Sequence, residues 1–343
     1  MDHDIPRIDI SGLFGQDLAA RAAVDAAILG AAQSVGMLVI TGLPAWAVLS
    51  PTQRRLLLSL FALPEADIRK LWRWNFDPTQ ANVYRGWFPL QNGLPTYKEG
   101  IDMGPDIAYG AGVVDPRDPL REATPLPPEH LLPGWQACAR DYYLAMVRLS
   151  EALMHSVARG LRLPERCFDA AFQGGVSTLR LLHYPVRPPE SFEGVAASEV
   201  WTVHQGKPHY LLARAHVDTG FITLLAQDGV PGLQAQHLDG SWIDVPPEEA
   251  TLAVNFGKVL ERWTGGAIRA TRHRVLGSGR ARHSIPFFYE ARVDAVIAPL
   301  PLPGASDFAP FYFGDHLWET TTQFVEQRGI AHLRVPLGPP PRP

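Results

Sequence analysis

Residues 213–228 read ARAHVDTGFITLLAQD, and the fold is decided by how this stretch is read. The run from Phe221 to Gln227 is apolar and β-branched, the composition of a buried strand. His216 and Asp218 stand two apart beside it. On an extended backbone, residues i and i+2 point to the same side. A carboxylate placed next to so apolar a run needs a partner or a metal.

From there outward the same texture recurs. STLRLLHY (177–184), HYLLARAHV (209–217), FITLLAQ (221–227), GLQAQHL (232–238), WIDV (242–245), TLAVNF (251–256), AIRATRHRV (267–275) and RHSIPFFYEA (282–291) are short runs separated by turn residues. That spacing predicts a sandwich or barrel. Upstream, IPRIDI (5–10) predicts a short strand and 16–34 an amphipathic helix. MLVITG (37–42) reads as a buried strand. Helices are expected at 46–62, at 64–72 and, longest of all, at 134–163 between Pro133 and Pro164. Residues 75–128 read as loop with short strands, 314–329 as a closing helix and PLGPPPRP (336–343) as an extended tail. The fold class is therefore α+β. A helical or mixed N-terminal region, 1–174, packs against a jelly-roll core, 175–335, as one compact unit.

The chain has 343 residues, a formal net charge of −4, 46% hydrophobic and 19% charged residues. This is enough apolar matter for a large core and too little charge for a disordered chain. The mild acidity argues against a nucleic-acid partner. No apolar run reaches the length of a membrane span, and no secretory signal is visible. Two cysteines make no disulfide framework, which suits a reducing cytoplasm. A monomer or weak homo-oligomer acting on a small molecule is expected.

Two imidazoles, one carboxylate and three open positions form the facial triad of non-haem Fe(II) oxygenases. His216 and Asp218 offer two of these ligands. His273, in ATRHRV (270–275), offers the third from a later strand, unless it is a satisfied core histidine. A second His-x-Asp, His237 with Asp239, runs into Asp239-Gly240, a hairpin-turn dipeptide, and reads as an exposed bend. His283 is expected to point outward, because its neighbours Arg282 and Ser284 share the inner face. Those two could form a clamp for a carboxylate, Arg giving a planar donor fork and Ser a further hydroxyl. By the same alternation Phe288 lies on their face.

HVD at 216–218, His273 in ATRHRV and RHS at 282–284, in this order, resemble the isopenicillin-N-synthase-like family of Fe(II)/2-oxoglutarate-dependent dioxygenases. IPRIDIS (5–11), VYRGWFPL (83–90), LRLLHYP (179–185), VNFGKVLERWT (254–264) and GDHLWETTTQFV (314–325) extend the resemblance over nearly the whole chain. It implies a double-stranded β-helix core, with Fe(II) on His216, Asp218 and His273. It also implies 2-oxoglutarate on Arg282, Ser284 and Tyr184, O2 as oxidant, and hydroxylation, desaturation or ring closure of a small substrate. Tyr184 has a second reading as a core tyrosine. Leu182 and Lys258 depart from residues common in the family. Isopenicillin N synthase itself is similar in these motifs and uses no 2-oxoglutarate, so a clamp for a substrate carboxylate is the alternative. A non-enzymatic jelly-roll module and a zinc hydrolase are more remote readings. Tyr84, Arg85, Trp87, Phe88 and Phe288 are candidate substrate-pocket residues, although 84–90 also reads as a buried strand. The segment 188–208 reads as a lid or a solvated loop.

Overall fold

The computed structural model describes residues 4–341. The chain opens with β1 (Arg7–Asp9) and α1 (Leu18–Ser34). Asp17 caps α1, accepting from the N–H groups of Ala19 at 2.8 Å and Ala20 at 3.2 Å. Gly36, at φ +72°, ends it and turns the chain into β2 (Met37–Thr41). The helix expected over 46–62 is broken. Ser50 and Gln53 form a capping box with Pro51 at the first helical position, so α2 (Pro51–Leu58) starts there, flanked by 3-10 turns at 45–47 and 59–62. The expected 64–72 helix is one α turn (Glu65–Ile68) followed by a 3-10 turn. In the loop-rich stretch lie β3 (Gly86–Phe88) and β4 (Glu99–Met103). Next comes α3 (Trp135–Gly160), which buries Ala139, Tyr142, Met146, Leu149, Leu153 and Val157 at helical spacing.

The strands that follow are β5 (Thr178–Tyr184), β6 (Trp201–His204), β7 (Lys207–His216), β8 (Ile222–Gln227), β9 (Leu233–Gln236), β10 (Trp242–Asp244) and β11 (Leu252–Phe256). A short helix, α4 (Lys258–Trp263), precedes β12 (His273–Leu276), β13 (Arg282–Tyr289) and α5 (Phe313–Thr321). The 188–208 segment is thus partly ordered as strand. Gln205 at φ +49° and Gly206 at +75° make the tight turn that pairs β6 with β7. The closing helix stops at Thr321, eight residues short of the expectation, in a run of three β-branched threonines. Residues 336–341 form no helix or strand, and 342–343 lie outside the described residues.

Two sheets face each other. The larger runs β1-β2-β11-β8-β13-β5-β4-β3 and the smaller β10-β9-β12-β7-β6. Strands β1 to β4, all from before residue 174, belong to the large sheet, so the sheet continues across that boundary. Alternation divides each strand of the large sheet cleanly. Leu38, Leu181, Leu224, Val254, Ile285 and Phe287 point outward and share one core with α1 and α3. Val39, Phe88, Leu182, Tyr184 and Ala253 point inward and form a second core with Leu212, Ala213, Leu233, Ala235 and Val275 of the small sheet. This is the expected jelly roll, with helices on the outer face of one sheet and the candidate site residues on the inner face.

Candidate active site

The two candidate histidines are direct neighbours. In the antiparallel pairing of β7 with β12, His273 lies opposite His216, with ring centroids 4.3 Å apart. The approach is sideways within the small sheet, not across the barrel. Asp218 does not extend the strand as the spacing suggested. It sits in the turn after β7, which is held by backbone N–H groups of Gly257 and Lys258 bonding to Phe221 and Asp218 carbonyls at 2.8 and 2.9 Å. The Lys258 side chain points to solvent. Asp218 Oδ1 is 3.6 Å from Nε2 of both His216 and His273. One ligand atom from each of the three residues lies within 4.8 Å of the others.

The surroundings set the chemistry of each group. His216 Nδ1 is 2.8 Å from the Arg214 carbonyl and His273 Nδ1 is 3.1 Å from the Thr271 carbonyl. A carbonyl only accepts, so Nδ1 carries the proton in both rings and Nε2 presents its lone pair. Burial, reinforced by His273, pushes His216 down to about 4, so the ring is neutral at physiological pH. Asp218 Oδ2 accepts from Thr223 Oγ1 at 2.5 Å and from Asn255 Nδ2 at 2.7 Å, which leaves Oδ1 for a ligand. Burial raises the Asp218 pKa, but the two histidines and these hydrogen bonds outweigh it and keep the carboxylate ionised. Two imidazole nitrogens and one carboxylate oxygen, each steered by a second contact, fit a divalent metal of the iron or zinc type.

Between the sheets, Arg282 is 1% exposed and Ser284 is buried on the same face. Arg282 pairs across the ladder with Tyr184, its guanidinium 5.4 Å from that ring, and Ser284 pairs with Leu182 on one side and Gln227 on the other. One Arg282 nitrogen donates to the neutral amide of Gln227 at 3.1 Å, and its Nε finds no partner among the described residues. The nearest acid, Asp228, is taken up by the backbone N–H and the ring of His283. A buried guanidinium left in this state fits a carboxylate ligand. Gln227 was not found in the sequence reading; its signal was its inward parity on β8. His283 is on the outer face, stacked on His183 at 4.7 Å under Phe61, as alternation implied. His237 and Asp239 lie at the β9–β10 hairpin, with Gly240 at φ +86°.

A cavity of about 570 Å³ opens beside His216 and Asp218. Tyr84 and Phe288, two of the candidate pocket residues, line it. Arg85, Trp87 and Phe88 are packed away instead. Trp87 faces outward against Phe61, and Arg85 is bonded to Thr178 and to the Val176 carbonyl. Phe88 lies under the guanidinium groups of Arg73 and Arg180. The buried-strand reading of 84–90 therefore describes these three, because inward and outward parity alternate along β3. Arg180, an inward-facing charge on β5, was missed. It lines the cavity and is paired with Asp102, which Arg73 also engages. Also missed was the wall made by Thr321 to Arg328, fastened where Lys98 Nζ meets Glu326 Oε1 at 2.8 Å. Phe324 of this wall stands edge-on to His216, centroids 6.3 Å apart.

The 2OG-Fe(II) oxygenase superfamily model matches residues 192–291. Isopenicillin N synthase of Streptomyces clavuligerus is 29% identical over 333 residues, covering 95% of this chain and 97% of the relative. The 2-oxoglutarate-dependent dioxygenase citB of Monascus ruber is 30% identical over 335 residues, 93% and 94% of the two chains. Among solved structures, a full-length Neurospora crassa protein in complex with alpha-KG and 5-formyluracil superposes with a TM-score of 0.73 at 26% identity, covering 92% of this chain and 95% of that one. No described helix is long and apolar enough to cross a membrane. Sequence, fold and site geometry agree that the chain belongs to the 2OG-Fe(II) oxygenase superfamily, a family of Fe(II) oxidoreductases that includes the 2-oxoglutarate-dependent dioxygenases.

Proposed function

We propose that His216, Asp218 and His273 hold the Fe(II), that Arg282, Ser284 and Tyr184 hold the far carboxylate of 2-oxoglutarate, and that the cavity beside them takes a small organic substrate. The observation that carries this reading is the pair of opposed histidines whose Nε2 atoms converge on Asp218 Oδ1 at 3.6 Å. Bound iron supplies the centre at which O2 and 2-oxoglutarate react, coupling decarboxylation to succinate and CO2 with oxidation of a substrate C–H bond. The protein's own part is positioning. The Arg214 and Thr271 carbonyls hold the two imidazole tautomers, while Thr223 and Asn255 hold the carboxylate. Arg282 supplies a buried positive charge whose desolvation is compensated when a dianionic co-substrate enters. Tyr84, Phe288 and the Thr321–Arg328 wall exclude water from the C–H bond to be attacked.

The residues before and after 174 act as one unit in this reading, since the large sheet uses strands from both. A reducing cytoplasm suits the chain's free cysteines, Cys138 and Cys167. The substrate is small and carbon-rich, and pyrimidine bases head the compounds to try because the Neurospora relative is seen with 5-formyluracil. The test is succinate release from 2-oxoglutarate by the iron-loaded enzyme, with anaerobic titration of the Fe(II)–2-oxoglutarate absorption band. Binding and turnover that survive His216→Ala would reject the ligand assignment. Substrate oxidation without succinate would favour the alternative in which Arg282 grips a substrate carboxylate.

A further inference from the structure

Glu290 follows β13 directly and has the same inward parity as Arg282, Ser284 and Phe288. Its backbone is fixed, the N–H donating to Ser177 Oγ at 3.0 Å. Its side chain is 6% exposed and reaches the wall of the cavity. It lies over Gly220, where a Cβ would collide with both carboxylate oxygens. The absence of a side chain at 220 is what makes room for the acid.

Three cations of this wall have partners. Arg180 is bonded to Asp102 at 2.8 Å, Lys98 to Glu326 at 2.8 Å and Arg214 to Glu199 at 3.2 Å. Glu290 Oε2 is buried with no partner among the described residues. Leaving a buried carboxyl unbonded costs stability, so its retention calls for a compensating role. The protein could have satisfied it from Thr178 or Thr223, which share the wall. Instead Thr223 donates to Asp218, and Thr178, which accepts from Arg85, makes no bond to Glu290 Oε2.

Building on the function proposed above, we propose that Glu290 is the substrate-recognition residue of this cavity, accepting a hydrogen bond from an N–H or O–H of the substrate. The donor is anchored at Glu290, and the rest of the molecule lies between Phe288 and Tyr84, with the carbon to be oxidised turned toward His216 and Asp218. The same carboxyl disfavours a substrate that presents an acid at this end.

The test uses the iron-loaded full chain, its Glu290→Gln and Glu290→Leu variants, and matched probes that differ in one donor. Uracil is paired with 1,3-dimethyluracil for N–H, and benzyl alcohol with benzyl methyl ether for O–H. The readout is probe-stimulated succinate release. At least one donor-bearing probe is expected to outperform its methylated partner in the wild type. Glu290→Leu, which removes the acceptor, should cut kcat/KM for that probe about 10- to 100-fold, mostly through KM, and leave the methylated partner unchanged, while Glu290→Gln, whose amide oxygen still accepts, should keep the donor preference. Which pair responds tells N–H from O–H. Thermal unfolding of the metal-free protein gives a reading that needs no substrate. Glu290→Leu should melt at or above the wild-type temperature, because an unbonded buried acid is replaced by an apolar group. No donor preference in the wild type, equal loss for both members of a pair, or a fall in melting temperature for Glu290→Leu overturns the proposal. If the iron–2-oxoglutarate band is intact in wild type and variant while the donor preference is absent, only the role of Glu290 falls. If the wild type lacks the band, it is the functional reading that fails.

Discussion

Replacing Arg282 with Met tests the co-substrate clamp with two effects of opposite sign. Arg282 is 1% exposed, touches the neutral Gln227 amide at 3.1 Å, and has an unbonded Nε. Burial depresses its pKa, Tyr184 and Asp228 opposing that only in part, which marks a charge its neighbours do not compensate. Met has a similar volume and no charge. Without ligand, Arg282→Met therefore gains from losing a desolvated cation and loses the Gln227 bond, about 1 kcal/mol. The metal-free protein should be within about 1 kcal/mol of wild type, or more stable. With ligand, the variant strands the far carboxylate of 2-oxoglutarate in a buried site with no cation. Losing one member of such a pair costs about 2–4 kcal/mol, roughly a 30- to 700-fold rise in Kd. Anaerobic titration of 2-oxoglutarate into Fe(II)-loaded protein measures the second effect and urea unfolding the first. A Kd within threefold of wild type, or a large loss of ligand-free stability, would refute the reasoning. The first outcome would mean that the carboxylate binds elsewhere, the second that Arg282 has a structural partner.

Further outcomes follow from the same structure. Asn255→Ala removes one of two donors that hold Asp218 Oδ2, so metal affinity should fall about 10- to 100-fold, read by metal titration, with the fold intact by circular dichroism. Asp102 and Glu326 are raised by burial, but Arg180 and Arg73 for the one, and Lys98 and Arg180 for the other, more than reverse this and hold each carboxyl at about 2. Both folded values lie below the unfolded ones, so their contribution, on the order of 2 kcal/mol each, is present above about pH 5 and lost as pH falls toward 2. Urea midpoints across that range should drop, and Glu326→Gln should flatten part of the drop. Gly36→Ala puts a Cβ at φ +72° into Thr271 Oγ1 and the Arg269 carbonyl. It should cost more than about 2 kcal/mol in urea unfolding, and a neutral result would show that the α1–β2 turn can relax.

Much of the fold was legible because its periods are local. The outward Leu181, Leu224, Ile285 and Phe287 and the inward Leu182, Tyr184, Arg282 and Ser284 follow from strict alternation along β5, β8 and β13. Turn chemistry was legible where one residue type dictates it, as at Asp239-Gly240. Boundaries were less so. The 46–62 helix was overextended because the Ser50–Gln53 capping box competes with continued apolar spacing. The 314–329 helix was overextended because β-branched threonines end it before the pattern does.

The sequence by itself determined the parity along the Arg282–Tyr289 strand, and with it the inward face that carries Arg282, Ser284 and Phe288. It also held the order of motifs that mark an iron oxygenase. These are properties of backbone geometry over a few residues, and they need no partner to be read. Only the tertiary structure decided that His216 and His273 are lateral neighbours, that Asp218 leaves the strand to join them, and that Trp87 and Phe88 are packing while Arg180 and Glu290 face the cavity. Each of these depends on which strands pair and which wall closes over them. Pairing and closure rest on contacts summed across the whole chain, and no window of sequence contains that sum.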